Sequence, residues 1–144
     1  MLSQMDRPEA VFVYGTLKRG ERNFAVAKEA GWLRSVEAYI EGFQLFHLPR
    51  QRRLGYSYPA VVPGEGRVWG EIQWFADLER ALDLLDALED EGREYLRKAT
   101  LAYPLAEAPP CWVWVYVYPS RHRVQAASGR WLPAGVWREA EGVD

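Results

Sequence analysis

The stretch CWVWVYVY at residues 111–118 alternates valine with aromatic residues and is the strongest strand pattern in the chain. An alternation of period two places successive side chains on opposite faces of a sheet, which is typical of a β-strand. Related patterns predict extended segments at residues 11–14, 32–48, 59–63, 67–75 and 94–105. Because these segments outnumber the predicted helices, strand pairing is expected to dominate the fold.

Two of the longer strand patterns contain an internal glycine, Gly42 and Gly70. A glycine inside a strand marks a bulge or a bend, and bends of this kind curl a sheet on itself. The sequence therefore predicts an α+β domain with a small, strongly curved mixed β-sheet or barrel. One main helix would cross it, and short helices would flank it.

Residues 77–89 carry the clearest helical pattern. Asp77 is a good N-cap, although Arg80 stands where a capping box would need a glutamate or glutamine. A shorter helix is predicted at residues 21–30, with Gly31 as its C-cap. The main helix has an apolar stripe at helical spacing, formed by Leu78, Leu82, Leu85 and Leu88.

The remaining segments are rich in turn and loop residues. Residues 47–58 predict a mobile loop, and residues 63–66 predict a turn. Residues 129–144 show no clear period, and we expect Trp131 and Trp137 to pack their rings back onto the body of the protein.

Length and charge limit the classes to which the chain can belong. Its 144 residues suit a single domain at residues 1–144, with a core at about 11–118 and a tail at 119–144. A net charge of −2 argues against a general nucleic-acid binder, which needs a broad basic face. The N-terminus lacks the apolar region of a signal peptide, and no apolar run approaches the roughly 18 residues of a membrane span. We therefore expect a cytoplasmic protein without a membrane partner.

Cysteine and histidine are too scarce for a disulfide or an obvious zinc site. Cys111 is the only cysteine, which fits a reducing compartment. It begins a strand beside two prolines and a tryptophan, a setting that favours a packed thiol over a nucleophile. His47 and His122 are far apart in sequence, so a zinc site is hard to assemble. We expect neither a metal nor a cofactor.

Gly15 and Gly20, at the end of the first predicted strand, have the glycine spacing of a phosphate loop. Such a loop also needs a lysine and then a serine or threonine after the second glycine. Glu21 and Arg22 stand there instead, and a glutamate would repel phosphate. The sequence GEG at residues 64–66 precedes a strand rather than a helix, so it is not a dinucleotide fingerprint either.

Three groups of short motifs occur in order along the chain. They are VYGTLKRG at residues 13–20, YPA at 58–60 with VWGEI at 68–72, and LDALE at 85–89 with YLR at 95–97. In this order and at these spacings the chain resembles the γ-glutamylcyclotransferase-like superfamily, and especially its short branch akin to the plant avirulence-induced proteins. The resemblance covers residues 11–118, which is most of the chain.

The resemblance implies a small β-barrel-like fold with flanking helices, in agreement with the strand patterns. In enzymes of this superfamily the substrate is a γ-glutamyl amide, whose α-amine attacks its own γ-carbonyl to give 5-oxoproline and a free amine. Because the nucleophile is tethered, the reaction needs positioning more than activation. The implied partner is a small-molecule γ-glutamyl substrate, and no cofactor is needed.

The resemblance also implies which residues perform this chemistry. Glu89 would be the general acid/base, and partial desolvation at the end of a helix would raise its pKa toward a useful range. Backbone N–H groups of the strand-end turn would bind the substrate's α-carboxylate or the developing oxyanion, and Gly15 would let the backbone come close. The other implied substrate-binding residues are Tyr14, Thr16, Leu17, Tyr95 and Tyr118.

The chain departs from the family pattern directly after the glutamate. The family usually has Glu-Gly, whereas here Asp90 follows Glu89 and the Glu-Gly pair is Glu91 and Gly92. The match at the preceding LD pair and the distance to the following YLR motif favour Glu89. Glu91 remains the alternative.

Two other classes of function stay open on the sequence. The chain could be a non-catalytic member of the same fold, which would fit a Glu89 that points into solvent. It could also be a nucleic-acid module that uses Trp112, Trp114 and Tyr116, although an alternating strand turns one set of those rings toward the core. The sequence does not indicate the oligomeric state or the leaving amine, which we expect the loop at residues 50–58 to select.

Overall fold

The computed structural model describes residues 7–49 and 56–139 of the chain. These residues contain six strands and three helices. Their bounds are β1 Ala10–Val13, α1 Phe24–Glu29, β2 Trp32–Leu48, β3 Tyr58–Phe75, α2 Leu78–Glu89, β4 Leu96–Pro104, β5 Cys111–Val117, α3 Arg121–Ala126 and β6 Arg130–Trp131. Within these described ranges, no helix is long and apolar enough to cross a membrane.

Five of the strands close into a barrel. The strand order is β3-β1-β5-β4-β2, and β2 pairs again with β3. The pair between β1 and β5 is parallel, with Ala10 opposite Val113, whereas the other pairs are antiparallel. The short β6 pairs with β2 at Phe46 and His47. The predicted α+β class, with a small curved mixed sheet or barrel, one main helix and short helices, is confirmed.

Strands β2 and β3 are 17 and 18 residues long and pair along almost their whole lengths. The predicted turn at residues 63–66, between two separate extended segments, is therefore wrong, because β3 continues through it. These residues lie opposite a shift in register, where Gly42 of β2 has a φ of 87°. This left-handed conformation favours glycine, and the predicted bulge at Gly42 is confirmed.

Helix α2 forms where the sequence predicts it. Asp77 is its N-cap, and the Asp77 carboxylate accepts a hydrogen bond of 3.2 Å from the backbone N–H of Arg80. The apolar face packs on the barrel, and this burial stabilises the helix more than intrinsic propensity does. The buried and partly buried residues of that face are Leu78, Ala81, Leu82, Leu85 and Leu88.

Two apolar clusters form the core. One has side chains from all five barrel strands and none from a helix, so it fills the barrel interior. The other lies between the barrel and the helices and includes residues of α1, α2 and α3. Successive residues of β1 belong to different clusters, Phe12 to the first and Val13 to the second. The end of β1 is therefore buried on both faces.

The two tryptophans of the C-terminal segment differ in burial. Trp137 is fully buried in the barrel cluster, and its Nε1 donates a hydrogen bond of 3.1 Å to His47 Nδ1. Trp131 is 53% exposed, so the expectation that its ring packs back onto the body is wrong. Its strand pairs with β2 through the backbone, which leaves the ring largely in solvent.

Three further segments differ from the predictions or lie beyond them. Helix α1 begins at Phe24 rather than residue 21, because the preceding residues form turns. Helix α3 was not predicted from the sequence. The residue that could have indicated it is the N-cap Ser120, whose hydroxyl oxygen accepts a hydrogen bond of 3.2 Å from the backbone N–H of Arg123. Of the predicted mobile loop at residues 47–58, residues 50–55 lie outside the described residues, and its two ends belong to β2 and β3.

The leucine stripe of α2 can be tested with two neighbouring residues. Leu85 is fully buried, so Leu85→Ala is expected to lower the free energy of unfolding by about 2–5 kcal/mol through the lost contacts and the cavity left behind. Leu84 is 36% exposed, and Leu84→Ala is expected to cost about 1 kcal/mol or less. Urea unfolding followed by circular dichroism measures both values. Equal losses in the two variants would contradict the described packing of α2.

Candidate functional site

A cavity lies where the end of β1 meets the C-terminal end of α2. Six of the seven predicted site residues line it, namely Tyr14, Gly15, Thr16, Leu17, Glu89 and Tyr95. The seventh, Tyr118, is not among the described lining residues and contacts the Tyr95 ring edge-on at 5.2 Å between centroids. The other lining residues are Phe12, Val13, Asn23, Tyr56, Tyr58, Pro59, Leu88 and Tyr116.

Residues 15–17 form a buried turn directly after β1. The carbonyl groups of this turn are used internally, because Lys18 N–H bonds to Gly15 O at 3.1 Å and Asn23 N–H bonds to Thr16 O at 2.7 Å. The amides of residues 15–17 donate no hydrogen bond to any residue within the described ranges. Buried backbone donors require a partner, so this turn is suited to binding an acceptor such as a carboxylate or an oxyanion.

Gly15 is fixed by packing against the start of β3. A Cβ atom at this position would overlap the ring of Pro59. Only a residue without a side chain lets the turn lie this close to the strand. The reason predicted from the sequence for a glycine at position 15 is that the backbone would lie close to a ligand. The structure shows a second reason, which is that the backbone at Gly15 lies close to the ring of Pro59.

Glu89 and Glu91 have different surroundings. Glu89 ends α2, is half-buried and lines the cavity. Glu91 is exposed, and its Oε2 accepts a hydrogen bond of 3.2 Å from the backbone N–H of Arg97. Burial raises the pKa of Tyr14 well above its ordinary value, and the negative charge of Glu89 adds to that shift. The cavity carboxylate is therefore Glu89 rather than Glu91.

Asp90, which stands where the resemblance implies a glycine, caps the C-terminal end of α2. It has φ 52° and ψ 51°, in the left-handed region, and the following amide of Glu91 bonds to Asp86 O at 2.9 Å. Glycine most often ends a helix in this way, and aspartate is one of the few other residues that adopt the conformation readily. Asp90 therefore ends the helix in the conformation that a glycine would adopt.

Three buried tyrosine hydroxyls around the cavity donate to protein acceptors. Tyr14 Oη donates to the carbonyl oxygen of Tyr116 at 2.5 Å, and Tyr95 Oη donates to that of Pro59 at 2.5 Å. Tyr116 Oη donates to Asp86 Oδ1 at 2.7 Å. Burial is the largest cause that raises the pKa of each phenol above its ordinary value, so all three stay neutral near pH 7.

Glu94 binds two further tyrosines beside the cavity. Its Oε1 accepts hydrogen bonds of 2.7 Å from Tyr58 Oη and from Tyr118 Oη, and its Oε2 lies 3.5 Å from Arg123 Nη2. Burial, together with the hydrogen bond to Glu94, raises the pKa of Tyr118 to about 12. Tyr118 is thus linked through Glu94 to Tyr58, which lines the cavity.

Several lining residues have no site role that was predicted from the sequence. Tyr58 and Pro59 belong to the quoted YPA motif, so a signal for them was present. Tyr116 belongs to the alternating pattern of β5. Its position follows from that alternation, since Val115 and Val117 face the barrel interior and Tyr116 faces the helices.

The comparisons with known proteins agree with the fold and with the motifs. A family model described as gamma-glutamyl cyclotransferase, AIG2-like, matches residues 11–139. The chain belongs to this family. The match includes the C-terminal segment that carries Trp137, beyond the region covered by the motifs.

Relatives of this gamma-glutamyl cyclotransferase family chain match over most of their length. A Vibrio cholerae protein named provisionally as a gamma-glutamylcyclotransferase is 36% identical over 123 residues, which cover 84% of this chain and 93% of that protein. The Escherichia coli K12 protein YtfP, named as a gamma-glutamylcyclotransferase family protein, is 31% identical over 128 residues, with 85% and 95% covered. These relatives support a gamma-glutamylcyclotransferase-like function.

Solved structures show the same fold. The crystal structure of a mouse AIG2-like protein superimposes with a TM-score of 0.70 at 24% identity. The superposition covers 90% of this chain and 88% of the mouse protein. At this identity the match shows the fold.

The left-handed conformation of Asp90 leads to a stability prediction. Asp90→Gly is expected to be at least as stable as the wild type, because glycine adopts this conformation without strain. Asp90→Ala is expected to be less stable than Asp90→Gly by about 1 kcal/mol, because Cβ crowds the following carbonyl. Urea unfolding of the two variants measures the difference. An alanine variant as stable as the glycine variant would contradict the described helix end.

Proposed function

We propose that this chain is a γ-glutamylamine cyclotransferase-like enzyme. It would release 5-oxoproline and a free amine from a γ-glutamyl amide by attack of the substrate's own α-amine. The observation that carries the proposal is the presence in one cavity of the Glu89 carboxylate and of backbone amides at residues 15–17 without a described protein partner. Together they offer a proton acceptor and an anion-binding turn.

The proposed reaction needs one carboxylate for its proton transfers. Glu89 takes a proton from the α-ammonium, and the free amine attacks the γ-carbonyl carbon to form a five-membered ring. The protonated Glu89 then gives this proton to the leaving nitrogen as its bond to the γ-carbon breaks. The ring nitrogen loses its second excess proton to the released amine, so the products are 5-oxoproline and an ammonium ion. The tethered nucleophile accounts for much of the rate, because its approach is intramolecular.

The turn at residues 15–17 would orient the substrate. Its amides can hold the α-carboxylate or stabilise the charge that develops on the γ-carbonyl oxygen. Such donors are effective because a buried turn does not have to reorganise during the reaction. The contact between Gly15 and Pro59 keeps this turn against β3.

The aromatic walls would fix the rest of the glutamyl group. Tyr14 and Tyr95 are proposed as substrate-binding residues, because both residues line the cavity and both hydroxyls donate hydrogen bonds to backbone carbonyl oxygens. Tyr116 joins them as a lining residue. Tyr118 takes a supporting role through Glu94 rather than direct contact.

A non-catalytic member of the fold was the main alternative, and it would fit a Glu89 in solvent. Glu89 is half-buried at the cavity, which supports the enzyme over the binding protein. The choice of leaving amine is assigned in this proposal to the loop at residues 50–58. Most of that loop lies outside the described residues.

The test is 5-oxoproline formation from a panel of γ-glutamyl amines by the wild type, Glu89→Gln and Glu91→Gln. Glu89→Gln is expected to lower kcat about 10²–10⁴-fold, because the glutamine cannot carry the proton. Glu91→Gln is the matched control, and its kcat is expected within about twofold of the wild type, since Glu91 is exposed and outside the described cavity lining. Thermal unfolding checks that both variants are folded. Full activity in Glu89→Gln, or an equal loss in Glu91→Gln, would contradict the proposed role.

A further inference from the structure

Asp86 lies one helical turn before Glu89 on α2 and binds side chains from two strands. Its Oδ1 accepts hydrogen bonds from Tyr116 Oη at 2.7 Å and from Arg97 Nε at 3.0 Å, and its Oδ2 accepts one from Arg97 Nη2 at 3.3 Å. A two-point contact between a guanidinium and a carboxylate is charge-assisted and has a defined geometry. The last turn of α2 is therefore attached to the barrel at one defined point.

Both partners of Asp86 are fixed in turn. Arg97 and Tyr116 are directly opposite each other on the antiparallel strands β4 and β5. The Arg97 guanidinium lies 4.4 Å from the centre of the Trp114 ring, a cation–π contact that restrains it further. The carbonyl oxygen of Tyr116 accepts the hydroxyl of Tyr14, which lines the cavity. The Asp86 carboxylate thus joins α2 to β4 and β5, and β5 also holds the hydroxyl of Tyr14.

We propose that Asp86, bound by Arg97 and Tyr116, is a positioning residue that holds the carboxylate of Glu89 at the cavity. The proposal rests on the function proposed above and extends it to a residue outside the cavity lining.

The backbone explains why such a restraint is needed. Asp90 turns the chain into the left-handed region directly after Glu89, so no further helical turn follows to hold the helix end in place. The side-chain contacts of Asp86 restrain this turn from the barrel side. A misplacement of about 1 Å can slow an enzymatic step about 100-fold, so loosening these contacts is expected to lower kcat.

A purely structural ion pair would behave differently. The side chains of Arg97 and Asp86 keep 23% and 25% of their exposure, so loss of this partly buried pair is expected to lower the stability of the protein. A structural role therefore predicts a loss of stability with an unchanged kcat for the folded enzyme. A positioning role predicts a large loss of kcat in the folded enzyme in addition to the loss of stability.

The kinetic test compares Asp86→Asn with Asp83→Asn, an exposed aspartate on the same helix. Asp86→Asn keeps the size of the side chain but loses the charge that binds Arg97, and its kcat is expected to fall about 10–100-fold with KM within about threefold. Arg97→Lys keeps the charge without the two-point contact and is expected to lower kcat similarly. Asp83→Asn should match the wild type. A kcat for Asp86→Asn within about twofold of the wild type would overturn the proposal.

Amide hydrogen exchange tests the same claim without any substrate. In Asp86→Asn the amides of residues 87–90 are expected to exchange faster, whereas those of residues 81–84 in the preceding turns stay as in the wild type. Unchanged amide exchange at residues 87–90 would overturn the positioning role, regardless of whether the protein shows activity on any substrate. Faster exchange there, in a protein that turns over none of the panel, would uphold the restraint on α2 and count against the proposed function alone.

Discussion

The parallel pairing of β1 with β5 is the contact on which the rest of the structure depends. β1 has only four residues, yet it lies between β3 and β5 and closes the barrel. A strand paired on both sides and buried on both faces has little freedom to shift, because a slip of one residue would exchange its two apolar clusters. The turn at residues 15–17 therefore starts from a fixed point. The hydroxyl of Tyr14 reaches the carbonyl of Tyr116 on the neighbouring strand for the same reason.

Two groups of polar side chains near the cavity are built on this frame. Asp86 accepts hydrogen bonds from Arg97 and Tyr116. Glu94 accepts hydrogen bonds from Tyr58 and Tyr118. Each carboxylate binds a tyrosine that lines the cavity, Tyr116 for Asp86 and Tyr58 for Glu94. Partly buried polar groups of this kind lose stability when their hydrogen bonds are not made, so these contacts restrain the rings that form the walls. The turn amides of residues 15–17 differ, because they are suited to an acceptor from outside the described chain.

Periodicity in the sequence predicted the elements whose pattern is local. The leucine stripe of α2, the alternation in β5 and the bulge at Gly42 all depend on residues close in sequence, and all three appear in the structure. The turn predicted at residues 63–66 failed because pairing with β2 over a long hairpin outweighs local turn preference. The exposure of Trp131 likewise depends on where β6 pairs, which its two residues do not indicate.

The candidate site likewise has some features that local sequence motifs indicate and others that depend on long-range contacts. The motifs indicated the turn, Glu89 and Tyr95, because each motif lies on one segment of the chain. The contacts of Asp86 could not be predicted, because they depend on the register that places Arg97 opposite Tyr116. The fit of Gly15 against Pro59 depends on a similar long-range approach. Long-range contacts of this kind become visible only when the strands have been paired.

We propose that the turn at residues 15–17 binds the carboxylate-bearing glutamyl group beside Glu89. The most direct measurement is a titration of ¹⁵N-labelled protein with 5-oxoproline, followed by amide resonances in two-dimensional NMR spectra. We expect saturable shifts that are largest at the amides of Gly15, Thr16 and Leu17. Saturable shifts centred elsewhere, or a turn that does not respond to 5-oxoproline at millimolar concentration, would contradict it.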